Sequence, residues 1–129
     1  MLKLTNTAST TLTANQVIPM SVAKNTNTRL SFSDNNVVVN SSGLLKIDAM
    51  FTINVTTAGA ISVQLYNGTT AIPGAIATQT ASANAEAVTI NLTDIELIYP
   101  AVSDKAKLNF VVSGAGTMTN ALATFVYEQ

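Results

Sequence analysis

Leu45, Ile47, Ala49, Phe51, Ile53 and Val55 alternate without a break with Lys46, Asp48, Met50, Thr52 and Asn54. A strand puts all six apolar side chains on one face, whereas a helix would scatter them around its circumference. Such a face needs a second apolar layer to cover it, and the flanking sequence supplies one. Ile61, Val63 and Leu65 alternate with Ser62, Gln64 and Tyr66, and the run ends at Asn67-Gly68, the preferred pair of a type I′ hairpin turn. A short return over 69–72, a turn at Pro73-Gly74 and a continuation over 75–80 follow. Residues 81–87 are small and polar and read as a loop.

Val88, Ile90 and Leu92 then alternate with Thr89, Asn91 and Thr93, after which the apolar phase slips to Ile95, Leu97 and Tyr99. The slip predicts a bulge or bend near Thr93-Asp94, and Pro100 ends the segment. Residues 106–112 make another strand with Leu108, Phe110 and Val112 inward. Gly114-Ala115-Gly116 predicts a hairpin turn before a last strand over 121–127. Shorter candidates lie at 17–22, 29–32 and 37–39. Eight to ten antiparallel strands with close-set turns and no helical period define an all-β, single-domain jelly-roll β-sandwich over 16–129. Residues 1–15 are Thr-rich, with leucines only at Leu2, Leu4 and Leu12, and read as an N-terminal arm outside the core.

Composition narrows the chemistry. The 129 residues suit one domain. Cysteine and histidine are absent, which removes disulfides, thiolate and imidazole chemistry and the usual zinc and copper sites. Six basic residues face seven acidic ones with no Lys/Arg cluster, so nucleic acid is not an expected partner. Only 10% of residues are charged while 47% are hydrophobic, so 19 Thr, 13 Asn and 10 Ser must supply most of the polar surface. No apolar run reaches the length of a signal peptide core or a bilayer span, so no membrane is expected either. Asn-x-Ser/Thr sequons at Asn40, Asn54, Asn67 and Asn91 match the roughly three that this composition gives by chance.

Candidate sites are few. Asp94 and Glu96, two apart on one strand, are the one pair resembling an acid and base for glycoside hydrolysis, and a solvated strand face explains them as well. Asp34-Asn35-Asn36 offers oxygens to calcium, but in no known loop spacing, and a turn accounts for it. Serines lack a histidine partner. Tyr66, Tyr99 and Tyr127 are possible sugar-stacking rings in a chain with no tryptophan. Lys46 and Asp48 share a face and read as an ion pair. The last strand is apolar on both sides, with Leu122 and Val126 on one and Ala121, Ala123, Phe125 and Tyr127 on the other. One core uses one face, and the second set is assigned here to a trimer interface.

The strand opening Ser42-Gly43-Leu44-Leu45-Lys46-Ile47-Asp48 resembles the Gly-Leu-Tyr strand of the tumour-necrosis-factor and complement globular-head jelly rolls, with Leu45 in place of the usual tyrosine. The stretch from Val63 through Asn67-Gly68 to Pro73-Gly74 is similar to a hairpin in capsid-decoration and head-fibre proteins of tailed bacteriophages and in related spore-surface proteins. The resemblance covers residues 15–129. It implies a homotrimer with no common catalytic residues to carry over; no cofactor or metal site is expected from the residues themselves. It further implies a structural protein on the virion surface, made in the host cytoplasm and attached to the major capsid or another virion protein through the N-terminal arm. The alternative is a module binding a host-surface glycan or receptor, on a virion or a spore.

Overall fold

The computed structural model describes residues 1–99 and 105–128. In chain order the strands are β1 (Leu2–Asn6), β2 (Thr10–Leu12), β3 (Gln16–Val17), β4 (Ser21–Asn25), β5 (Leu30–Ser33) and β6 (Asn36–Val39). Then come β7 (Gly43–Val55), β8 (Gly59–Asn67), β9 (Thr70–Ala81), β10 (Glu86–Ile98), β11 (Ala106–Val112) and β12 (Gly116–Glu128). They form two antiparallel sheets. The first runs β10-β7-β12-β1-β4 with β2 also on β12, and the second runs β5-β6-β11-β8-β9 with β3 also on β11. The architecture is the expected jelly-roll sandwich.

The alternation of β7 places Leu45, Ile47, Phe51 and Ile53 against the opposite sheet, all fully buried. Phe51 meets Phe110 of β11 edge-to-face with centroids 5.1 Å apart, and Phe110 meets Phe125 of β12 at 6.0 Å. These rings join the two sheets, burying large apolar area in a geometry that aromatic quadrupoles favour. At one end Arg29 lies 3.6 Å over the Tyr127 ring, and the Tyr127 hydroxyl donates to the Ser41 carbonyl at 2.8 Å. Arg29 also donates to the Ser42 carbonyl at 2.8 Å. The Tyr127 ring occupies the space that a Cβ on Gly43 would need, 2.9 Å from its Cδ1, so glycine is required there for close approach.

Residues 1–15 are not an arm. β1 pairs with β12 on one side and β4 on the other, β2 extends the same edge of β12, and β3 crosses to the second sheet. Asn15 and Ile18 donate to the carbonyls of Val112 and Phe110, both at 2.8 Å. Leu2, Leu4 and Leu12 are buried in the main core. Three leucines suffice because the strand order puts each on the inner face; the polar residues between them face out.

Turn chemistry also differs in detail. Asp34 and Asn35 both have positive φ (50° and 60°) between the paired Ser33 and Asn36, the type I′ geometry, so this segment is a hairpin. In the β8–β9 hairpin only Gly68 has positive φ, at the first central position, the type II′ arrangement rather than I′. The turn after β11 is not a hairpin, because β12 lies in the other sheet. Gly116 is buried there, and a Cβ would come within 2.5 Å of the Asn54 carbonyl oxygen. The bulge expected near Thr93-Asp94 is absent: β10 pairs with β7 in unbroken register from Glu86↔Val55 to Ile98↔Gly43. Pro100, expected to end that segment, lies outside the described residues.

If the N-terminal segment is core, Leu4→Ala lowers stability by about 3 kcal/mol, the usual cost of truncating a buried leucine. That corresponds to roughly 10 °C in Tm for a domain of this size, measurable by calorimetry. Deleting residues 1–13 yields insoluble or unfolded protein; a soluble truncation with unchanged Tm restores the arm.

Candidate functional site

The feature that distinguishes this surface is the outer face of the β10-β7-β12-β1-β4 sheet. Register sets its side chains in rows. Asn91, Met50, Leu122 and Thr5 form one, and Thr93, Asp48, Thr124 and Lys3 the next. Ile95, Lys46 and Val126 follow, then Leu97, Leu44 and Glu128. Met50 and Leu122 are half-buried in the floor of a shallow depression edged by Asp48, Asn91, Thr93 and Thr124. Toward the end of β10 the face becomes openly apolar. Ile95 is 57% exposed, Leu97 53% and Tyr99 74%, with Leu44 and Val126 beside them. Single exposed apolar residues need no explanation, but a contiguous patch on a neutral polar surface marks a contact surface. Lys46 and Asp48 do share this outward face, as the sequence suggests.

The inner side of the same strand end is equally unusual. Because the pairing of β10 does not slip, Asp94 and Glu96 continue the inward phase of Val88, Ile90 and Leu92. Their cross-strand partners Ile47 and Leu45 are fully buried. One Asp94 oxygen, Oδ2, is shielded from solvent and accepts no hydrogen bond. Glu96 has its pKa raised from 4.5 to about 7, chiefly by burial and then by its hydrogen bond and repulsion with Asp94.

Other predicted sites fall elsewhere. Ala121, Ala123, Phe125 and Tyr127, assigned above to a trimer interface, are buried in the monomer core. The assignment is corrected: β12 turns that face toward the second sheet because Phe125 and Ala121 pair beside the inward Ile47 and Phe51. The free face is the one bearing Leu122, Thr124 and Val126. Tyr127 lies under Arg29, with its phenol pKa raised by burial, and is closed to a sugar. Tyr66 sits on the outer face of the other sheet, half-buried. Tyr99 alone of the three borders a polar cleft, together with Asn67, Thr69, Pro73, Glu96 and Lys107. Asp34-Asn35-Asn36 is used as a turn: Asn35 Oδ1 accepts from the Met20 amide and Asn36 Oδ1 from Asn109. No group of three or more potential metal ligands occurs among the described residues.

No family model and no curated protein matches the chain. Solved structures do. The Eiger tumour necrosis factor of S. frugiperda superposes with a TM-score of 0.79 at 10% identity, covering 99% of this chain and 91% of that one. Murine APRIL superposes with a TM-score of 0.73 at 11% identity, covering 98% and 97%. The fold is the tumour-necrosis-factor jelly roll. A bacteriophage protein, the PRD1 vertex protein P5, superposes with a TM-score of 0.53 at 20% identity, covering 95% and 93%. On this tumour-necrosis-factor jelly roll the apolar patch lies at the open edge of one sheet, where β10 has a neighbour on one side only. Asp94 and Glu96, the pair considered for glycoside hydrolysis, lie on the inward side of β10 opposite the buried Leu45 and Ile47.

Glu96 binds its proton more tightly folded than unfolded, so stability falls as pH rises from about 4.5 to about 7 and levels beyond. Urea midpoints across that range show the fall, and Glu96→Gln removes the Glu96 contribution; identical profiles for both proteins contradict the raised pKa of Glu96.

Proposed function

We propose that this chain is a non-enzymatic structural protein of a bacteriophage virion surface that assembles as a homotrimer through the outer face of the β10-β7-β12-β1-β4 sheet. The observation that carries the reading is the exposed apolar group of Ile95, Leu97, Tyr99, Leu44 and Val126, with the half-buried Met50 and Leu122 beyond the Asp48 row. Lys46 and Asp48 of β7 lie on the same face, whose other polar groups are chiefly Thr and Asn. A second copy of this chain is the favoured occupant, because the homotrimer is what the resemblance to the tumour-necrosis-factor and phage head-fibre jelly rolls implies.

The virion role draws support from the likeness to the PRD1 vertex protein P5, whose name places that protein at a phage vertex. Attachment to the capsid through residues 1–15 is not retained, since β1 and β2 are built into the first sheet on β12. Contact with a capsid protein falls instead to an outer surface of the folded domain. A second reading, a receptor- or glycan-binding trimer, is favoured by the polar cleft beside Tyr99 and Lys107. Binding on a glycan array, lost on Tyr99→Ala, selects the second reading over a purely structural role.

Size exclusion with light scattering on the full chain gives a trimer at micromolar concentration. The double substitution Ile95→Glu with Leu97→Glu gives monomers of unchanged Tm, because both sites are solvent-exposed in the single chain. Phe125→Asp, by contrast, prevents folding, since an unpaired charge in the core costs several kcal/mol against a typical stability of about 5–15 kcal/mol. A monomeric wild type, or a trimer that survives both glutamates, overturns the interface.

A further inference from the structure

The tip of the β8–β9 hairpin carries the one Asn-Gly step in the chain, Asn67-Gly68. An asparagine followed by glycine is the kind most open to ring closure onto the next nitrogen, because no Cβ stands beside that nitrogen. Both residues are exposed, so water reaches them. Their polar groups are nevertheless held. Asn67 Oδ1 accepts from the Lys107 amide at 3.1 Å, and the Gly68 amide donates to the Lys107 carbonyl at 2.7 Å. The Gly68 carbonyl in turn accepts from Asn109 Nδ2 at 3.1 Å. Asn109 also donates to Asn36 Oδ1 at 2.9 Å and is only 4% exposed, so the clasp on Gly68 is itself fixed. Asn67 is paired on both sides, with Thr70 across the hairpin and with Leu108 of β11.

We propose that Asn67 is a self-modification site guarded by this latch: the folded tip blocks succinimide formation at Asn67-Gly68, and release of the tip from β11 opens it to irreversible conversion to aspartate and isoaspartate. In that reaction hydroxide from the solvent takes the Gly68 amide proton, and the nitrogen attacks Cγ of Asn67. The new bond joins nitrogen to Cγ, the Cγ–Nδ2 bond breaks, and Nδ2 leaves as ammonia with a proton taken from water. A second water then opens the ring at either carbonyl. The latch opposes the first steps twice. Removing the Gly68 proton forfeits its bond to the Lys107 carbonyl. Ring closure also demands a ψ that an extended residue, paired on both sides, does not have. The two products then differ. Aspartate leaves the main chain unchanged and keeps an oxygen for the Lys107 amide. Isoaspartate routes the main chain through the side-chain methylene, and the added carbon displaces Gly68 from Lys107, so the latch does not re-form.

The inference stands on the hairpin tip and does not rest on the trimer. The full chain is incubated at about pH 8.5, folded and in guanidinium chloride, and peptide mapping follows the mass gain of each asparagine and its isoaspartate content. In denaturant Asn67 converts before any other asparagine, and in the folded protein it converts at least about ten-fold more slowly. Asn109→Ala, which removes the clasp on Gly68, speeds the conversion in the folded chain and leaves the denatured rate unchanged. Equal rates in folded and denatured wild type, earlier conversion of another asparagine in denaturant, or a folded Asn109→Ala protein as slow as wild type each overturns the latch. The wild-type comparison decides alone if Asn109→Ala does not fold. After refolding, chains bearing isoaspartate at 67 lose amide-exchange protection at Gly68 and Lys107, whereas Asn67→Asp retains it. Loss in both, or in neither, overturns the distinction between the two products.

Discussion

Pairing between β7 and β10 governs what this molecule presents to its surroundings. The ladder runs from Glu86↔Val55 to Ile98↔Gly43 without interruption, and because side chains alternate strictly, that register fixes the face of every residue on both strands. Over its first half the register agrees with the hydrophobic pattern. Over its second half it does not, and the backbone wins. The outcome is a strand end with carboxylates inside and Ile95, Leu97 and Tyr99 outside. Such local conflict with the global fold is costly in an isolated domain, and natural sequences keep it where function uses it. The candidate interface and the inward carboxylates are two sides of one constraint.

Much of the fold was legible in the sequence. The alternation of β7 and β8, the turn at Asn67-Gly68 and the absence of a helical period led to a jelly roll because each reports local chemistry; the turn expected at Pro73-Gly74 is instead an irregularity within the continuous strand β9. What failed depended on partners distant in sequence. Leu2, Leu4 and Leu12 are too sparse to signal a core strand until β12 and β4 are placed on either side of β1. The slip at Thr93-Asp94 reads as a bulge until the β7 ladder is seen to outweigh it. The last strand displays two apolar faces, and the one that is core is decided by Phe125 reaching Phe110 across the sandwich. The presence of a second, free apolar face was visible; its identity was not. Leu44 went unnoticed as a surface residue, and Met50 and Leu122, each set on one side of its own strand, come together with it on one sheet face only when rows form across the sheet.

The same rows explain how a chain with so little charge carries an interface. Thr, Asn and Ser hydrate the remaining surface, and bonds such as the 3.3 Å contact between the Thr52 and Thr89 hydroxyls tie adjacent strands on the outer face. Against that background the exposed Ile95, Leu97, Leu44 and Val126 give this face a hydrophobic reason to be covered. The likeness to tumour-necrosis-factor ligands and to a phage vertex protein establishes the jelly roll on which this face is displayed. The absence of cysteine and histidine removes thiolate and imidazole chemistry from the chain.

Thiol accessibility tests the central claim, that this one sheet face is covered by further copies of the chain. The protein has no cysteine, so single substitutions report without background. Ile95→Cys lies on the proposed interface, and Ile76→Cys on the other sheet is comparably exposed in the single chain. The account predicts that, at micromolar concentration, a maleimide labels the Ile76→Cys protein rapidly and the Ile95→Cys protein slowly, with denaturant equalising the two. Equal labelling of both native proteins would contradict it.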